Sequence, residues 1–139
     1  MGKVIVKAKI KNYVDEELVK LGFLKPDQIR KVEIDALVDT GATMLVLPQD
    51  VVDKLGLTKI REVTAKYANN TKEKKYVVGV ANVEIVGRNS NFNAVVEPAF
   101  STPLIGQIIL EELDLVVNPK TNTLMPNPES PDIPLIDLL

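Results

Sequence analysis

The chain has 139 residues, a formal net charge of -2, and no Cys, His or Trp. Those absences exclude thiol nucleophiles, disulfides, thiolate or imidazole metal sites, and any relay in which His activates Ser or Cys. Acid-base chemistry near neutral pH therefore falls to carboxylates, helped by Lys or Tyr.

The length suits one domain that buries most of its apolar surface, and 45% hydrophobic with 26% charged residues is a globular composition. A pI near 5.2 offers no basic footprint for nucleic acid. Lys72, Lys74 and Lys75, interrupted by Glu73, are expected to form a solvated turn. The uncharged stretch Pro98 to Leu110 has 13 residues and two prolines, too short to span a bilayer. Lys3, Lys7, Lys9 and Lys11 break up any signal-peptide core. The expectation is a cytoplasmic protein without a membrane or nucleic-acid partner and without a cofactor or metal.

Val4, Val6, Ala8 and Ile10 alternate with lysines, which predicts a half-buried strand. Residues 12 to 30 break the alternation. Asp15-Glu16-Glu17 before Leu18 suggests a short helical turn, and Lys25-Pro26-Asp27 a loop. Val32, Ile34, Ala36 and Val38 share one face of a second strand, which ends in Asp39-Thr40-Gly41-Ala42. An apolar burst, Met44 to Leu47, follows. Pro48 opens a short helix in its first turn, with Val51, Val52 and Leu55 on one side and Gly56 past the end.

Glu62 to Ala68 and Lys74 to Val86 flank Asn69-Asn70-Thr71-Lys72 and predict a long hairpin with a polar tip. Gly87-Arg88-Asn89-Ser90 reads as a turn, and Phe92, Ala94 and Val96 alternate out of it. Pro98 to Pro103 is a loop. Leu104-Ile105-Gly106 leads into a short helix, Gln107 to Leu113, then a strand, Leu115 to Val117. The last 14 residues hold four of the nine prolines and cannot pack as helix or central strand. The organisation is one domain over residues 1–125 and a Pro-rich tail over 126–139, either loosely ordered or an arm across a partner subunit. Short strands, few short helices and no strand-helix-strand rhythm predict an all-β, barrel-like domain.

Chemistry concentrates in Ala36-Leu37-Val38-Asp39-Thr40-Gly41-Ala42. An Asp directly after a buried apolar strand is costly unless something requires it. Alone, Asp-Thr-Gly is weak, because a turn capped by Asp39 gives the same three letters. The flanks add weight. The order of ALVDTGA, LVLP with its helix, the hairpin carrying Ala68-Asn69-Asn70, and PLIGQIILEELDLVVNP resembles the retropepsin-like aspartic proteases, particularly small bacterial members, over roughly Val32 to Pro126. The resemblance implies a retropepsin-like barrel acting as a two-fold homodimer, since these enzymes need two carboxylates and this chain has one Asp-Thr-Gly. It implies catalysis by Asp39 of each subunit and peptide hydrolysis by activated water. Thr40 would bond across the axis, Gly41 would admit substrate backbone, and Leu104, Ile105 and Gly106 would support the catalytic loop, which includes Ala42. Ala68, Asn69 and Asn70 correspond to the flap. Leu37, Val46 and Ile105 are expected as apolar cleft walls. Strand packing is the expected role of Tyr67 and Tyr76, although either could face the cleft.

Ala42 cannot donate the hydrogen bond that Ser or Thr would give the carboxylate, so the expected pH optimum is mildly acidic or neutral. The viral enzymes follow Asp-Thr-Gly-Ala with acidic residues, the first paired with an Arg after the Gly of the second motif. Here Thr43, Met44 and Gln107 stand instead, and that ion pair is lost. Two rivals remain at this level. One is an aspartyl-phosphate enzyme, disfavoured by the scarcity of helices. The other is a catalytically silent dimer of the same fold that binds peptides or a protein partner.

Overall fold

The computed structural model describes residues 3–138. Strand β1 (Ile5–Asn12) turns Ala8 and Ile10 inward and Lys7 and Lys9 outward, as its alternation requires. Helix α1 (Tyr13–Lys20) follows at once. It is two turns long rather than one, because its cap lies earlier than expected. Asn12 Oδ1 accepts the Asp15 N–H at 3.1 Å, while Asn12 Nδ2 donates to the Leu55 carbonyl at 2.8 Å. A 3-10 turn occupies Pro26–Gln28. Strand β2 (Lys31–Val38) pairs antiparallel with β1, from Ile5 opposite Leu37 to Lys11 opposite Lys31.

Strand β3 (Leu45–Pro48) passes directly into helix α2 (Gln49–Leu55). Pro48 is the N-cap rather than a first-turn residue, and Gly56 ends the helix at φ 63°. Strands β4 (Thr58–Lys66) and β5 (Lys72–Ile85) form the long hairpin. The turn before strand β6 (Arg88–Glu97) is tighter than the sequence suggested. Ile85 already pairs with Arg88, and only Val86 and Gly87 lie between, both with positive φ. Leu104–Ile105 form a short strand, β7, that the sequence does not announce, while helix α3 (Gln107–Leu113) and strand β8 (Leu115–Asn118) fall where expected. Strand β9 (Thr123–Pro126) was not anticipated. It pairs with β8 outside the main sheet, an edge position that tolerates Pro126.

The main sheet runs β1-β2-β7-β3-β6-β5-β4, and a further β1–β5 pairing closes its first six strands into a barrel, leaving β4 outside. The chain is mostly β with three short helices, as the all-β reading requires. Two pairings, β2 with β7 and β3 with β6, are parallel. Ile10, Leu45, Leu47, Val83, Ile85 and Ile105 fill the interior together with Leu55 from α2 and Ile109 and Leu113 from α3. Each such side chain contributes about 1.5–3 kcal/mol of apolar transfer.

Two polar clusters fasten the periphery. Asp15, 3% exposed, accepts Arg30 Nε at 2.9 Å, Nη2 at 3.0 Å and the Arg30 backbone N–H at 3.0 Å. At the end of α3, the Asp114 carboxylate accepts the Ser130 hydroxyl, the Asn127 amide at 3.1 Å and the Leu135 N–H at 3.0 Å. Buried Arg88 donates to the Leu113 and Asp114 carbonyls and to that of Ser130. The segment after β9 has no regular secondary structure, yet it is tied to the barrel at these points.

The Arg30 hydrogen bonds hold the Asp15 carboxyl below the usual carboxylate range, against the opposing effect of burial. A depressed folded-state value stabilises the fold above the unfolded value of about 4, and that contribution is lost as pH falls through the folded value. Asp15→Asn is expected to cost about 2 kcal/mol at neutral pH in urea titrations. The gap from wild type should close progressively below about pH 4.

Candidate active site

The Asp39 loop has no regular structure of its own and is held from both sides by backbone bonds. The Asp39 N–H donates to the Ile105 carbonyl at 3.0 Å, and the Leu37 N–H to Pro103 at 2.9 Å. On the far side, the first N–H groups of α3 donate back to the loop, Gln107 to the Ala42 carbonyl at 2.8 Å and Ile108 to Thr43 at 3.0 Å. Within the loop, Gly41 N–H donates to Asp39 Oδ1 at 2.9 Å and Ala42 N–H to the Asp39 carbonyl at 3.1 Å. The Asp39 carboxylate thus faces outward from a fixed backbone.

Gly106 makes this clamp possible. A Cβ there would lie 2.4 Å from the Met44 carbonyl oxygen and 2.8 Å from that of Ala42. These are backbone atoms of the very loop that α3 grips, so they have no room to yield.

Asp39 stands at one end of an open cleft of about 570 Å³. Period two explains its walls. Strand β3 buries Leu45 and Leu47 in the barrel and gives Val46 to the cleft; β6 buries Ala94 and Val96 and gives Val95 and Glu97. Leu104, Val46 and Val95 lie side by side in register and form an apolar floor. The hairpin covers it with Val63, Ala65, Tyr67 and Ala68.

Of the residues singled out from sequence, Asp39, Gly41, Ala42, Leu104 and Ala68 converge on this cleft, with Val46. Ile105 and Gly106 are buried beneath the loop, and Thr40 is exposed at its tip. Leu37 does not line the cleft; it shares the outward face of β2 with Glu33 and Asp35 and is half-buried there. Asn69 and Asn70 are exposed at the hairpin tip, also outside the cleft lining. There Asn70 N–H donates to the Tyr67 carbonyl at 2.9 Å, Asn70 takes φ 67°, and Asn69 Oδ1 accepts from Thr71. This is a three-residue loop with a left-handed closing residue.

Tyr67 faces the cleft rather than only packing the strand, and its hydroxyl donates to Glu97 Oε1 at 2.9 Å. Burial, then the Glu97 carboxylate, push the Tyr67 hydroxyl above the usual phenol range. Tyr76 is on the exposed side, under Lys59 at 4.0 Å. Lys75 is no part of a solvated turn. It belongs to β5, its side chain is 14% exposed, and it reaches Glu97 at 2.9 Å and Glu73 at 3.2 Å. Its bond to Glu97 holds its ammonium above the ordinary lysine range. Sequence reasoning missed Glu97, although it follows Phe92, Ala94 and Val96 on the opposite, non-core parity of the strand. Among the described residues no group of three or more His, Cys, Asp or Glu side chains converges as metal ligands would.

The family described as gag-polyprotein putative aspartyl protease matches residues 27–112, more than half of the chain. The chain belongs to this retropepsin-like aspartyl protease family. The matched span takes in β2, the Asp39 loop, the hairpin, β7 and nearly all of α3, the elements that build the cleft. No curated protein matches the chain.

Gly106→Ala is expected to cost about 3 kcal/mol, the upper range for an added buried methyl. A lowered urea midpoint would record the loss, and faster amide hydrogen exchange at Gln107 and Ile108 would place it at the loop clamp.

Proposed function

We propose that the chain is an aspartic endopeptidase that works as a two-fold homodimer, with Asp39 of each copy meeting at the axis. The observation that carries this reading is a half-exposed carboxylate, on a backbone clamped from two sides, at the end of a cleft with an apolar floor. One such carboxylate is insufficient. The other acid in the cleft, Glu97, cannot share its proton. In register, Asp39 lies at the level of Met44 and Glu97 at the level of Pro48, so about 13 Å of strand separates them. Glu97 is also committed to Lys75 and Tyr67. A second copy supplies the missing partner, and the exposed Thr40 is available to bond across the axis.

Two carboxylates held together repel when both are ionised, so the pair retains one proton. The ionised member takes a proton from water as the water oxygen attacks the peptide carbonyl carbon. The protonated member gives its proton to the carbonyl oxygen. Collapse of the resulting diol returns a proton to the departing nitrogen and breaks the C–N bond. The substrate would lie extended between the floor and the hairpin, and the hairpin would close over it as a flap.

Asp39→Asn is expected to lower peptide cleavage roughly 10³-fold or more. Excess Asp39→Asn protein should also suppress wild-type activity by forming mixed dimers, whereas a chain that cleaves as a monomer would ignore it. Ala42→Ser adds a donor to the ionised carboxylate and should move the acid limb of the pH-rate profile to lower pH. A wild-type optimum at strongly acidic pH would contradict that assignment.

A further inference from the structure

The cleft contains a charged cluster that water activation at Asp39 leaves unused. Tyr67 and Lys75 both contact Glu97 through Oε1, and Oε2 accepts no hydrogen bond among the described residues. Nor is Oε2 a sealed, unpartnered atom. Glu97 is a lining residue of the cleft, and its side chain is 23% exposed. Lys75 is one cation shared by two carboxylates, Glu97 and Glu73, so the cluster carries a net negative charge. Lys66 also borders the cleft, but it sits on the exposed parity of β4 with Thr64, and among the described residues the cation that pairs with Glu97 is Lys75.

We infer that Glu97 makes the end of the cleft remote from Asp39 a subsite for a lysine or arginine side chain of the substrate. The methylene stem lies along Val46, Val95 and Ala65, and the cationic head reaches Oε2. Both side chains bury an apolar stem while keeping the charge at a polar site, which is what this wall offers. A charge-assisted bond in a half-buried setting outweighs its exposed counterpart. An acidic side chain would instead meet an uncompensated carboxylate. This assignment rests on the peptide-cleft reading and adds the substrate class to it.

The test uses peptides identical except at one scanned position, which carries Lys, Arg, norleucine or Glu. Binding is measured by calorimetry on Asp39→Asn, and cleavage on the wild type. At one position Lys and Arg should exceed norleucine by about tenfold in both affinity and kcat/KM, with Glu weakest. Glu97→Gln keeps an acceptor for the Tyr67 hydroxyl and should bring the Lys-to-norleucine ratio to within about twofold of unity. On the unaltered protein, raising ionic strength should shrink the Lys preference while leaving norleucine binding in place, a readout independent of whether the variant folds. Absence of a basic preference at every position, or a preference that survives both Glu97→Gln and salt, overturns the inference. Basic preference in binding without wild-type cleavage keeps the subsite and removes the peptidase reading. Cleavage with no such preference does the reverse.

Discussion

The Asp39 loop of this protein is held by hydrogen bonds that do two jobs at once. The first N–H groups of any helix lack partners within the helix. In α3 those of Gln107 and Ile108 are spent on the Ala42 and Thr43 carbonyls, so the same bonds cap the helix and fix the loop. On the other flank Ile105, itself anchored in the core, accepts the Asp39 amide. The Asp39 carboxylate is therefore positioned by a segment more than sixty residues downstream. Both segments approach closely only because position 106 has no side chain.

Barrel closure supplies the rest of the geometry. Each wall strand has one face in the barrel interior and one in the cleft, and the two faces carry different chemistry. Inside are Leu45, Leu47, Ala94 and Val96; outside are Val46, Val95 and Glu97. A charge on the inner parity would face unpaired burial. On the cleft parity it is answered by Lys75 and Tyr67 and keeps one oxygen free.

Much of this was legible from residue order. Period-two alternation located β1, β2 and β6, and the family-like order of Asp-Thr-Gly, hairpin and Leu104-Ile105-Gly106 located the loop and its support. The misses have physical causes. Asn12 caps α1 through Oδ1 while its Nδ2 holds the Leu55 carbonyl, a distant partner that no local pattern reveals. Strand β9 exists because β8 offers an edge, not because Thr123 to Pro126 favour extension. Leu37 shares a row and a sheet face with Leu104 and Val46, yet it lies one strand beyond the cleft lining, so its parity is that of a wall residue and its strand position is not. Lys75 was grouped with its exposed neighbours, and only the pairing of β5 with β4 and β6 brings it against Glu97. Local pattern records which face a residue takes; partners on other strands decide what that face meets.

Strand β5 spans 14 residues and belongs to two assemblies. Its first half carries the hairpin against β4, and its second half is stitched to β6 and β1 in the barrel wall. Its pairing with β6 slips between Val78 and Ala81, where one assembly gives way to the other. Such an irregularity interrupts the ladder and lets a strand bend locally. One continuous strand thus carries both the covering arm and the seam that seals the barrel, so the same backbone that shuts the frame sets where the arm stands above the acid.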